Sequence, residues 1–218
     1  MLNESCQEQG IPLSRGFTDM IKKPLLSVEF YEFQCPKDIY EPVKDHLKNS
    51  TEFRKNENNL ISYQLQNCAM EAWINDCLSK VQQDKFTGSS FELKVTTIWA
   101  NKANKLQFHH KHFHPNSIVS GILYLNVNEG YGKTNFFMKD PWWSIHNEGF
   151  LKLLDGNTND ASVEIVAQAE PEEGKMIVFP STIWHSVQPH KNMSARYTVS
   201  FNSFFRGTNP RHTLQLTL

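Results

Sequence analysis

Between residues 91 and 205 the chain is a succession of short apolar and aromatic runs separated by turn residues. This pattern restricts the possible folds more than any other feature. The runs cover residues 91–100, 117–126, 134–138, 163–167, 175–179, 184–187 and 196–205. Gly130-Tyr131-Gly132, the polar stretch 155–160 and Pro171-Glu172-Glu173-Gly174 punctuate them, and Asp140-Pro141-Trp142-Trp143 reads as an irregular loop. Short strands at regular spacing with turn signals between them indicate a sandwich or barrel. The 15 phenylalanines and 5 tryptophans suit such an interior, because aromatic rings fit a pleated, half-buried surface.

The first ninety residues read differently. Residues 1–22 are mixed and polar, as in a loosely docked arm, and residues 24–33 alternate as a strand. A short helix is expected over 37–48 and a polar loop over 50–59. From Asn67 to Gln82, Ala69, Met70, Trp73, Ile74, Cys77, Leu78 and Val81 recur at helical spacing. Asn67 is placed to cap that helix, and its apolar stripe is expected to pack on the outside of a sheet.

With 218 residues the chain suits one domain, and a formal charge of −1 gives no global field to recruit nucleic acid or anionic lipid. Cys6, Cys35, Cys68 and Cys77 form no CxxC pair, which suits free thiols in a reducing cytoplasm. The N-terminus lacks a signal-peptide pattern, and no apolar run approaches the ~20 residues a membrane span requires. The expectation is a cytoplasmic protein without a membrane partner, with a homodimer allowed.

Chemistry concentrates in Phe108-His109-His110-Lys111-His112-Phe113-His114-Pro115-Asn116-Ser117, where four of the nine histidines lie within six residues. Side chains at i and i+2 of a strand point the same way. Strand parity therefore sets His110, His112 and His114 on one face and His109, Lys111 and Phe113 on the other, which makes His109 a bystander. Two imidazoles at that spacing can chelate one ion. A third is available in His185, framed by apolar residues after the run Met176-Ile177-Val178-Phe179-Pro180. Ten residues separate His185 from Arg196. In the strand that Arg196 opens, Arg196, Thr198, Ser200 and Asn202 share one face, and Tyr197, Val199 and Phe201 share the other. A buried arginine needs a charged partner, and a ligand carboxylate bound bidentately with help from Thr198 would serve.

His112-Phe113-His114, then His185 and Arg196-Tyr197-Thr198, resemble the iron(II)- and 2-oxoglutarate-dependent oxygenases, which carry an HxD/E motif, a distal His and an Arg-x-Ser/Thr. Ser120-Gly121-Ile122-Leu123-Tyr124-Leu125-Asn126 resembles that family's Tyr-Leu-Asn strand, and residues 171–179 resemble its turn and strand before the distal His. His112-x-His114-Pro115-Asn116-Ser117-x-x-Ser120-Gly121-x-x-Tyr124 is similar to a subgroup of oxygenases from marine bacteria and their viruses. The resemblance covers roughly residues 91–205. It implies a mainly β, double-stranded β-helix (a cupin-like jelly roll) with a few supporting N-terminal α-helices. Within one domain, 1–218, it divides the chain into a strand-and-helix lead-in (1–90), the jelly-roll core (91–205) and a C-terminal tail (206–218).

The resemblance also implies Fe(II) held by His112, His114 and His185, and 2-oxoglutarate bound by Arg196, Tyr124 and Thr198. The activity it implies is a dioxygenase, a hydroxylase in type, that uses O2 to oxidise a substrate C–H bond with release of succinate and CO2. Trp99, Phe137, Trp142 and Trp143 are candidates for the substrate entrance.

One departure stands out. Where the family has a carboxylate ligand this chain has His114, and no Asp or Glu occurs between Glu92 and Glu129. Iron held by three imidazoles is one explanation. A shifted register, with His114 as first ligand and Asn116 or water as second, is another, and Asp140 reaching in from its loop is a third. Two alternatives to the oxygenase reading stay open: a three-histidine cupin-type dioxygenase that does not use 2-oxoglutarate, and a non-catalytic metal- or ligand-binding jelly roll.

Overall fold

The computed structural model of the protein describes residues 28–56, 58–63, 65, 67–88, 91–139, 163–209 and 214–216. The expected arm over 1–22, the loops at 140–143 and 155–160, and with them Cys6, Asp140, Trp142 and Trp143, lie outside these residues. Among the described residues twelve strands and two helices follow one another as β1 (Tyr31–Gln34), α1 (Lys37–Asn49), β2 (Arg54–Lys55), β3 (Leu60–Tyr63), α2 (Cys68–Lys85), β4 (Glu92–Ala103), β5 (His109–His112), β6 (Val119–Tyr124), β7 (Thr134–Lys139), β8 (Val163–Ala169), β9 (Lys175–Pro180), β10 (Trp184–Val187), β11 (Arg196–Asn209) and β12 (Leu214–Leu216). The major sheet runs β1-β9-β6-β11-β4-β3-β2, with β12 paired to β11, and the minor sheet runs β5-β10-β7-β8. All pairings are antiparallel. β11 continues past residue 205 to Asn209, so strand pairing extends into the segment 206–218.

Sequence parity explains the layering. Along β6 every residue is buried, because both faces of that strand are covered. Ile122 and Tyr124 join Phe136, Ala169, Ile177 and Phe179 in one apolar cluster. Leu123 joins Met176, Val178, Tyr197, Val199 and Phe201 in the other, against Tyr40, Val43 and Leu47 of α1 and Met70, Ile74, Cys77, Leu78 and Val81 of α2. The helices thus back the major sheet, as the stripe on α2 required. Burying each large apolar side chain contributes roughly 1.5–3 kcal/mol. Gly121 on β6 sits opposite Phe201 on the neighbouring β11. A Cβ there would lie 2.8 Å from the Ile177 carbonyl oxygen and would also meet the Phe201 ring, so only glycine fits.

The start of α2 is as its sequence implied. Asn67 Oδ1 accepts the Met70 N–H at 2.9 Å, satisfying one orphan donor of the first turn. Replacing Asn67 with Ala is expected to cost about 1 kcal/mol, read as a lower midpoint in urea unfolding with the m-value unchanged. The side chains of α2 also cover the margin of β4. Asn75 Oδ1 accepts the Val95 N–H at 3.0 Å, and Gln82 bridges Leu93 N–H and the Phe91 carbonyl.

Several elements differ from the sequence expectation. The polar stretch 50–59 contains β2, and β3 and β12 were not anticipated. All three are at most four residues long, and such strands owe their state to pairing partners more than to local preference. The expected strand over 24–33 is seen as β1 from Tyr31 among the described residues.

Candidate metal centre and adjoining cavities

The minor sheet builds the centre. His185 on β10 sits directly opposite His112 on β5. His114 follows two residues after β5 ends, its N–H held by the Ser181 carbonyl at 2.9 Å. That turn is fastened by buried hydroxyls. Ser181 Oγ donates to Ser117 Oγ at 2.7 Å, and Ser120 Oγ lies 2.8 Å from Ser181 Oγ. One nitrogen from each of His112, His114 and His185 falls within 4.8 Å of the others. The rings of His114 and His185 are stacked at 5.2 Å and 7°, and Trp99 lies 5.9 Å from His114.

Hydrogen bonds fix two of the three tautomers. His112 Nδ1 lies 2.8 Å from the His110 carbonyl oxygen, and His185 Nδ1 lies 3.0 Å from the Ile183 carbonyl oxygen. A carbonyl can only accept, so each Nδ1 carries the proton and each Nε2 is left as a lone-pair donor. Phe179 closes edge-on against His185 at 4.8 Å, and His185 is only 2 % exposed.

Parity fails at one point of the histidine cluster. Between β5 and β10 the register shifts: His185 faces His112 but Val187 faces His109. The bulge sets three steps on β5 against two on β10. Residues 109 and 112 therefore come to one side, where strict alternation would separate them. His109 is consequently not a bystander. Its Nδ1 is 3.1 Å from His112 Nδ1, and it lines the site that the exposed His110 does not reach.

Burial holds these imidazoles neutral. It lowers the pKa of His185 to about 3 and those of His114 and His109 to about 4, with neighbouring histidines adding to the effect, and it also lowers that of His112. Neutral imidazole is the metal-binding form. The sign for stability follows. The folded-state pKa values lie below the ordinary 6.5, so unfolding takes up protons between about pH 6.5 and 4 and stability falls as pH is lowered through that window. Metal-free protein is therefore expected to lose melting temperature steadily from pH 7 to 5, with several protons taken up on unfolding. A flat profile in calorimetry over that range would count against a neutral cluster.

Two cavities share the cluster as a wall. The inner one, with about 40 Å³ of free volume, is lined by His109, His112, His114 and His185 together with Tyr124, Arg196, Thr198 and Ser200. The outer one is a cleft of about 1000 Å³ that reaches Trp99, Asn101, His109, His112 and His114 from the side of α2. Arg196, Thr198 and Ser200 point inward while Tyr197, Val199 and Phe201 enter the core, as parity on β11 required. Thr198 lies opposite Tyr124 across the β11–β6 pair. Tyr124 is fully buried, its hydroxyl 2.7 Å from Thr134 Oγ1, and burial pushes its pKa up to about 12.

Arg196 is 6 % exposed, and it makes no ion pair with the described residues. Among the described residues its guanidinium makes one hydrogen bond, from Nη1 to the Gly132 carbonyl at 3.4 Å. Burial pulls its pKa down from the ordinary value. An unpaired interior charge costs several kcal/mol, a cost that an anion in the cavity would offset. Three neutral nitrogen donors and a buried guanidinium in one cavity fit a divalent metal with an anionic ligand beside it.

Other expectations fare differently. Trp99 does line both cavities. Phe137 does not: it pairs across the sheet with Trp184 and lies under Lys111 Nζ at 5.5 Å, away from the cavities. Cys35, Cys68 and Cys77 are free thiols. Asn59 and Asn101, which the sequence reading passed over, join the inner cavity. Asn101 shares a face of β4 with Trp99 and was open to the same parity argument. Among the described residues no helix is long and apolar enough to cross a membrane.

Comparison with known proteins finds a matching family model and proteins of similar fold. Residues 97–202 match the family described as "Putative 2OG-Fe(II) oxygenase", a segment that contains the three histidines, Tyr124, Arg196 and Thr198. This segment, a little under half of the chain, is thus similar to the iron(II)- and 2-oxoglutarate-dependent oxygenases. Its fold is similar to that of a Pseudomonas putida prolyl-4-hydroxylase, with a TM-score of 0.57 and 17 % identity over 83 % of this chain and 95 % of that one. A viral collagen prolyl hydroxylase from Paramecium Bursaria Chlorella virus-1 gives 0.53 and 11 % over 80 % and 94 %. The non-heme alpha ketoglutarate dependent epimerase SnoN from nogalamycin biosynthesis gives 0.57 and 10 % over 81 % and 78 %. At these identities the likeness is one of fold, the mainly β jelly roll that the family resemblance implied. No curated protein matches the chain significantly.

Proposed function

We propose that the protein is an iron(II)- and 2-oxoglutarate-dependent dioxygenase that hydroxylates a C–H bond of its substrate. The observation that carries this reading is the meeting, in one cavity, of three imidazole donors within 4.8 Å and a buried guanidinium that has no counter-ion among the described residues. His112, His114 and His185 would hold the metal, and Arg196, with Thr198 and the Tyr124 hydroxyl, would hold the distal carboxylate of the co-substrate. When bound, iron and 2-oxoglutarate supply the O2-dependent oxidation, with succinate and CO2 as co-products.

The chain's own contribution is placement. His112 and His185 present Nε2 because their Nδ1–H groups are engaged by backbone carbonyls. Arg196 offers a planar fork to a carboxylate. Phe179 and Trp99 pack against the rings of His185 and His114. His114 stands where related enzymes carry a carboxylate, so the protein donors leave the full +2 charge on the metal, and a dianionic co-substrate offsets it. The unpaired Arg196 favours this reading over a three-histidine dioxygenase that dispenses with 2-oxoglutarate. The large outer cleft is where the substrate would reach the metal.

Anaerobic addition of iron(II) and 2-oxoglutarate to metal-free protein tests this reading. A visible charge-transfer band that requires both components is expected. Iron(II) binding without any such band would favour the three-histidine alternative, and absence of iron binding would favour a non-catalytic jelly roll.

A further inference from the structure

The β5–β10 bulge brings a fourth imidazole to the centre, and its hydrogen bonding assigns it a task. His109 Nδ1 lies 3.1 Å from His112 Nδ1, with the rings 4.2 Å apart at 42°. His112 Nδ1 also lies 2.8 Å from the His110 carbonyl oxygen, and His109 Nδ1 is 3.4 Å from that same oxygen. Three polar atoms therefore converge on one junction. A proton on His109 Nδ1 aimed at His112 would leave a bare His112 Nδ1 lone pair facing a carbonyl oxygen at 2.8 Å, which is repulsive. The favourable assignment puts the proton on His112 Nδ1, shared between the His110 carbonyl and the His109 Nδ1 lone pair as a three-centre bond. His109 then carries its own proton on Nε2.

The two ligating strands differ in their place in the sheet. Among the described residues β5 pairs with β10 alone, whereas His185 sits on β10 between two neighbours. The Ile183 carbonyl accepts from His185 Nδ1. On β5 the His110 carbonyl is backed by a side chain that the bulge turns inward.

We infer that His109 is a positioning residue for the metal centre. It accepts from His112 Nδ1–H and locks His112 in the tautomer and ring orientation that presents Nε2 to the ion. This role rests on the three-imidazole reading given above.

Cobalt(II) titration of the metal-free full-length chain, followed by its visible ligand-field bands, tests the role without recourse to activity. His109→Leu keeps the bulk and removes the acceptor. His109→Asn returns an acceptor, because the amide oxygen can stand where Nδ1 stood. The Leu variant is expected to bind cobalt(II) about 10–100-fold more weakly with shifted bands, as for other partners of ligating histidines, and the Asn variant within about three-fold of wild type. A Leu variant with wild-type affinity and spectrum would overturn the role, as would an Asn variant as weak as Leu. Wild-type protein that binds no cobalt(II) would instead bring down the three-imidazole reading, and this role with it.

Discussion

Replacing His185 with Ala is expected to weaken iron(II) binding by more than about 100-fold, beyond what losing an outer hydrogen-bond partner costs. The reason is geometric. His185 supplies the donor that comes from a second strand, opposite His112, and it is the most deeply buried of the three. Without it His112 and His114 remain as two donors from one short segment, a number that leaves a divalent ion mostly to water. Competition against a chromophoric chelator under anaerobic conditions measures the change. Circular dichroism checks that the jelly roll persists. An unchanged dissociation constant in a folded variant would remove His185 from the metal centre.

The second large effect concerns Arg196 and has two opposite signs. Arg196→Leu is expected to weaken 2-oxoglutarate binding by roughly 10²–10³-fold, the usual cost of truncating one partner of a buried, hydrogen-bonded charge pair. The same substitution is expected to raise the melting temperature of the ligand-free protein, because it removes a buried cation that has no counter-ion among the described residues. In wild type, added 2-oxoglutarate with metal raises the melting temperature by mass action, and the variant loses that increment. A variant that is destabilised without ligand and still binds 2-oxoglutarate normally would mean that Arg196 serves the fold rather than an anion.

What could be read from the sequence depended on whether the local pattern agreed with the global pairing. Helix α2 was legible because its apolar spacing, its Asn67 cap and its place behind the sheet all point the same way. Along β11, alternation separates Arg196, Thr198 and Ser200 from Tyr197, Val199 and Phe201, and the sheet keeps that alternation until the register shifts after Asn202. His112, His114 and His185 meet as the cluster and its distal partner suggested. The same parity rule misassigned His109, because a bulge depends on the partner strand and leaves no mark in the sequence of β5. Asn59 was hidden for a related reason. It lies in a polar stretch that reads as loop, and only the tertiary fold carries it to the inner cavity.

The amide side chains along α2 have a consequence for how copies of this protein meet. β4 is a twelve-residue strand, and β3 pairs with it only at Trp99–Lys102. The remaining margin would otherwise present backbone donors to any passing extended chain, the usual route to edge-to-edge aggregation. Asn75 and Gln82 already occupy the Val95 and Leu93 donors. The helix that backs the sheet thus also acts as a chemical selvedge. A long strand can run beside an open cleft without offering those donors as a template for a second molecule.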